Sequence, residues 1–164
     1  AQIKADYINE VIRKYSIQTV QEYGVGDGHN MSMYYGYKQY NGYDIAPYSI
    51  ELCKANPLIN HTKCRFTSDI KGVDKNADLA LSLDVLLHQV EDKDYQEYMD
   101  MVFKANHMYV LLFTPSREAS PKSAQHVRYR MVKEDVQRLY PQYQLMEAIK
   151  VNISEEKFFL LYKL

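Results

Sequence analysis

The 164-residue chain predicts an α/β fold, an open and mostly parallel sheet with helices on both faces. Three observations carry this. Helix-like and strand-like patterns alternate along most of the length. Three glycines, at positions 24, 26 and 28, follow directly on the first strand pattern. The last two strand patterns follow one another with no helix between them, which predicts an antiparallel pair at one edge of the sheet.

The elements follow in order. Ile3, Tyr7, Ile8, Val11, Ile12 and Tyr15 recur at helical spacing and predict an amphipathic first helix. Residues 17–23 form the first strand. The short, tyrosine-rich segment 30–38 is read as helix. The second strand covers 40–45. Pro47 suits a first helical turn, where its missing N–H has no partner to lose, and Asn56-Pro57 ends that helix near Ala55. Strand three is 63–67. Leu79, Leu81 and Leu83 belong to a fourth strand, 78–84. Asp94 and Glu97 resemble a capping box that opens a helix through Tyr95, Tyr98, Met99 and Val102. Tyr109 to Phe113 is a continuous apolar run, as expected of a strand buried on both faces. Val132, Val136, Leu139 and Tyr140 mark a last helix, ended by Pro141. Strands at 143–151 and 157–163 complete a count of seven. No linker, repeat or inserted lid interrupts the pattern, so residues 1–164 are expected to be one domain.

Composition narrows the partners. Hydrophobic residues at 46% and charged residues at 25% are ordinary globular values. A net charge of −1 gives no overall pull toward nucleic acid or anionic lipid. Cys53 and Cys64 read as buried free thiols. His29, His61, His88, His107 and His126 show no metal-ligand spacing, so no metal is expected. No stretch reads as a signal peptide or is apolar enough to span a bilayer, so the expected compartment is the cytoplasm, with no membrane partner.

The stretch Glu22-Tyr23-Gly24-Val25-Gly26-Asp27-Gly28 carries the most chemistry. Glycine here lets the backbone turn tightly and approach a ligand closely. The dinucleotide fingerprint needs a small residue where His29 stands, which argues against NAD. The pattern E-x-G-x-G-x-G instead resembles motif I of class I S-adenosylmethionine-dependent methyltransferases. Tyr40 to Pro47 resembles their second strand, ending in an acid, Asp44. A carboxylate offers two acceptor oxygens to two neighbouring hydroxyls, and the resemblance gives Asp44 the cofactor's ribose. It implies a Rossmann-like sheet of seven strands with the last reversed. It also implies S-adenosyl-L-methionine as cofactor, contacted by Glu22, Gly24, Gly26, Gly28, Asp44, Asp69 and Leu83. For Asp69, a helix cap is the alternative.

Residues 77–92 match the family's fourth strand and the loop after it, where ligands bind beyond the strand's carboxyl end. Asp84 and His88 fall there. A helical turn after Asp84 would stack the two side chains on one face. An imidazole can take the proton of a methyl acceptor, and a carboxylate can orient it. The structural alternatives are a capping role for Asp84 and packing for His88. Residues 82–88 together with His126-Val127-Arg128-Tyr129-Arg130 are similar to small methyltransferases associated with glycan assembly. In an extended segment His126, Arg128 and Arg130 would point the same way, and Arg117 could join them in a cationic patch for an anionic acceptor. A solvated charged loop is the alternative.

The resemblance therefore implies an enzyme that O-methylates a small polar or glycan-type acceptor, an anionic one if the cationic patch serves it. Acceptor recognition would fall to the loops, the first helix or a second copy in a homo-oligomer. Two other readings stay open: methylation of RNA or protein, and a non-catalytic subunit that binds the cofactor. The low net charge stands against nucleic acid.

Overall fold

The computed structural model describes residues 1–118, 126–152 and 156–164. They form two compact units, Ala1–Ala80 and Leu81–Leu164. The first contains α1 (Gln2–Lys14), β1 (Thr19–Tyr23), β2 (Gln39–Tyr43), α2 (Pro47–Ala55) and β3 (Cys64–Thr67). The second contains α3 (Asp92–Phe103), β5 (Tyr109–Thr114), α4 (Val132–Leu139), β6 (Gln144–Asn152) and β7 (Glu156–Lys163). The unit boundary falls within β4 (Leu79–Leu83). The strands make one seven-stranded sheet in the order β3-β2-β1-β4-β5-β7-β6. β1, β2 and β3 pair in parallel, and β7 runs antiparallel to both β5 and β6. The α/β class with an antiparallel edge pair is the architecture the sequence predicts.

In the first unit, α1 buries Ala5, Ile8, Asn9, Val11 and Ile12, while Ile3 is half exposed. Asn9 tolerates burial because its amide donates to Met33 O and its carbonyl accepts from Tyr35 N, each at 3.0 Å. Those bonds also explain why segment 30–38, read as helix from its sequence, is not an α-helix. It contains one 3-10 turn, Met31–Met33, after which Tyr34 is extended and Gly36 is left-handed. Asn9 captures backbone groups that a helix would need. Tyr34 and Tyr37 pack on Tyr40 at centroid distances of 6.5 and 5.8 Å. α2 starts at Pro47 and ends at Ala55, as expected.

Burial separates the strands. Every residue of β4 and β5 is buried. β2 and β3 alternate, with Tyr40, Gly42, Cys64 and Phe66 inward. On their other face Gln21, Asn41 and Arg65 lie side by side in register. The connection after β3 carries only a 3-10 turn, Ile70–Gly72, before β4 begins. Cys53 and Cys64 are buried and unbridged.

In the second unit α3 starts at Asp92, two residues before the predicted capping box, and its N-cap Glu91 makes no side-chain cap bond. Asp94 sits inside the first turn, where a carboxylate still suits the positive end of the helix dipole. Phe103 stacks on Tyr140 at 4.9 Å and meets Tyr143 and Tyr162 edge-on.

Candidate functional site

The glycine turn follows β1. Gly24, Gly26 and Gly28 take φ of 79°, 60° and 76°, a region that costs other residues about 1–2 kcal/mol. The amides of Gly24 and Val25 both donate to Tyr43 O, which ties the turn to the end of β2. The Gly26 amide donates to Asp44 Oδ2 at 2.9 Å, and the Ala46 amide donates to Asp44 Oδ1 at 3.0 Å. One carboxylate thus joins the turn to the start of α2. Each of its oxygens keeps a further lone pair for a hydroxyl. The glycines differ in what surrounds them. A Cβ at Gly28 would meet Cys53 Sγ and Ile59 Cδ1 at 3.0 Å, so this residue lets the turn pack on α2. A Cβ at Gly26 would meet nothing within 4 Å, so the backbone there faces open space.

Glu22 lies just ahead of the turn and is buried. Its Oε2 accepts from Tyr40 OH at 2.5 Å. Loss of hydration pushes its carboxyl up to about 7, against the lowering effect of Tyr40 and of Lys4. The Tyr34 hydroxyl is also buried and has no hydrogen-bond partner among the described residues. Glu22 acts on Tyr34 electrostatically, so the orphan phenol and the desolvated carboxyl share one environment. Open space at Gly26, an orphan hydroxyl and a doubly anchored carboxylate suit a polar ligand with hydroxyl groups and a positive charge. Asp69 is engaged in the way its alternative reading required: its carboxylate accepts from Lys71 N and caps the 3-10 turn. Leu83 is buried as the last residue of β4.

In the second unit Asp84 follows β4 with φ of 60°, one of two non-glycine residues in the left-handed region among those described. Its amide donates to Phe113 O at 2.8 Å, and Lys157 Nζ reaches its Oδ1 at 2.6 Å. The expected stack of Asp84 on His88 is not formed, because residues 86–88 make a 3-10 turn rather than an α-helix. His88 instead lies parallel to His126, with ring centroids 6.2 Å apart. His88 Nδ1 is 3.3 Å from His126 O. A carbonyl only accepts, so this contact places the proton on Nδ1 and leaves the Nε2 lone pair free in the neutral ring.

The cationic trio does not share one direction. His126 goes to His88. Arg130 Nη1 donates to Gln89 O at 2.6 Å, Nη2 donates to Val90 O at 3.0 Å, and the guanidinium lies 4.2 Å over the Tyr95 ring. Arg128 donates to Val90 O and pairs with Asp92 at 2.9 Å. Arg130 also reaches Asp92, and these bonds hold its carboxyl below the usual range. Both arginines therefore bind chain carbonyls that local patterning could not reveal. Arg117 stacks on Tyr129 at 4.0 Å. Lys157 is the residue that sequence reasoning missed: it lies 73 positions from Asp84, in a strand with no motif. Among the described residues no group of three or more His, Cys, Asp or Glu side chains could hold a metal ion. No helix among them is long and apolar enough to cross a membrane.

No protein-family model matches the chain, and no curated protein matches it in sequence. Solved structures do resemble it in fold. The methyltransferase domain of bacterial CtHen1 superposes with a TM-score of 0.77 at 16% identity, covering 99% of this chain and 98% of that one. N-methyltransferase NodS from Bradyrhizobium japonicum gives 0.69 at 15% identity, covering 90% and 85%. Magnesium protoporphyrin IX methyltransferase (ChlM) from Synechocystis PCC 6803, with S-adenosylhomocysteine bound, gives 0.77 at 12% identity, covering 99% and 82%. The shared feature is the Rossmann-like methyltransferase fold.

Proposed function

We propose that the chain is a class I S-adenosylmethionine-dependent methyltransferase that O-methylates a small polar or glycan-type acceptor. The observation that carries this is the glycine turn. Its Gly26 backbone faces open space while Asp44, just past the end of β2, anchors it. The fold neighbours, some solved with S-adenosylmethionine or S-adenosylhomocysteine, support the same donor.

Bound cofactor supplies an electrophilic methyl group on a sulfonium. Gly24, Gly26 and Gly28 give it a close backbone approach. Asp44 accepts from its ribose hydroxyls. Glu22 and the Tyr34 hydroxyl serve its polar, charged end. His88 Nε2 takes the acceptor's proton, with His126 O holding the tautomer. Asp84, paired with Lys157, orients the acceptor. Arg117, Arg128, Arg130 and His126 border the acceptor through the loop they brace. The solved neighbours act by name on unlike acceptors, small RNA for HEN1 and magnesium protoporphyrin IX for ChlM, so fold alone leaves the acceptor open. Methyl-labelled S-adenosylmethionine with a panel of sugars, phosphosugars and hydroxy acids tests the proposal. Label should appear in at least one acceptor and disappear with His88→Ala. A protein that binds cofactor and labels nothing across that panel and an RNA control would be a binding subunit instead.

A further inference from the structure

The outer edge of the first unit's sheet carries cations that the proposed methyl transfer does not use. β3 is the edge strand. Tyr40 N–H donates to Lys63 O and Asp44 N–H donates to Thr67 O, so residues 63 and 67 turn their backbone toward β2. Strand alternation then turns the N–H groups of Cys64 and Phe66 to the free edge. An open cavity of about 480 Å³ lies here, lined by Asn41, Lys54, His61, Arg65, Thr67 and Gly72 among others, with no acidic residue in its wall. Lys63 borders the adjoining groove, together with His61 and Arg65. The acid of that groove, Asp74, accepts from Asn76 N. Among the described residues Lys54, Lys63 and Arg65 make no ion pair or side-chain hydrogen bond. All three are exposed.

We propose that this edge binds the phosphate group of a small phosphorylated molecule. Lys54 of α2 and Arg65 of β3 line one cavity, Lys63 borders the groove beside it, and the cavity's volume falls in the range of small-molecule sites. Arginine and outward backbone N–H groups suit phosphate oxygens. A net charge of −1 argues against a long polyanion. Edge strands also use charged residues merely to block pairing with other chains, and the experiment separates the two roles.

Sodium tripolyphosphate is titrated calorimetrically, at low salt, into the wild type, Lys63→Gln/Arg65→Gln and a control, Lys93→Gln/Lys133→Gln, that removes equal charge elsewhere. The proposal expects at least tenfold weaker binding in the first variant and unchanged binding in the control. S-adenosylhomocysteine titrated into the same samples should give equal heats, so failure here stays distinct from failure of the methyltransferase reading. No heat from tripolyphosphate, or equal loss in both variants, would reduce the cations to edge protection. Binding of labelled oligothymidylate without binding of tripolyphosphate would overturn the small-ligand assignment in favour of a polymer.

Discussion

Gly26 and Asp44, eighteen residues apart, are joined by an amide-to-carboxylate hydrogen bond of 2.9 Å. It makes the acid that would hold a ribose also the clamp on the turn that would pass beneath it. Asp44→Ala therefore removes an acceptor from both the ligand and the loop. Affinity for S-adenosylhomocysteine should fall by about 1.5–3 kcal/mol, measured by calorimetry. Unchanged affinity would detach Asp44 from the site.

Gly26→Ala and Gly28→Ala should separate. Both place a side chain at positive φ, costing about 1–2 kcal/mol. Only at Gly28 does the new Cβ also meet Cys53 and Ile59. Urea unfolding should show Gly28→Ala as the less stable of the two. Gly26→Ala should fold and yet bind cofactor poorly, because its methyl enters the open space.

Glu22 predicts a pH dependence. Its folded carboxyl sits near 7 against an ordinary 4.5, with burial as the main cause. The folded state thus holds the proton more tightly than the unfolded one. The favourable contribution is complete below the unfolded value and is lost as pH rises through the folded one. Relative to Glu22→Gln, the wild type should lose roughly 3 kcal/mol between about pH 4 and pH 8. Parallel stability curves for the two proteins would show that Glu22 is hydrated or ionised throughout.

Arg130 is 9% exposed and bonds Gln89 O, Val90 O and Asp92. Arg130→Ala leaves Gln89 O without its donor, while Val90 O keeps Arg128, and should cost about 1–3 kcal/mol in urea unfolding. Lysine should recover only part of this, since one ammonium cannot reproduce the planar fork on Tyr95. A neutral effect would return Arg130 to the solvated surface.

Local signals in the chain were legible where they were strong. Pro47, the apolar run of β5 and the glycine cluster each specify their backbone within a few residues. The miss at 30–38 came from Asn9, more than twenty residues away, which takes the bonds of Met33 and Tyr35. The partners of Asp84 and Arg130 were hidden for the same reason. Lys157 and Gln89 are brought to them by chain reversal, and side-chain spacing along one segment carries no trace of that.

The central claim is that the turn at Gly26 cradles the methyl donor. The most direct measurement is calorimetric titration of the folded wild-type protein with S-adenosylhomocysteine and, separately, with NAD. Saturable heat with S-adenosylhomocysteine, none with NAD, and at least tenfold weaker binding in Gly26→Ala is the predicted result. A folded protein that gives no heat with S-adenosylhomocysteine, or binds it equally well with Gly26→Ala, would contradict the account.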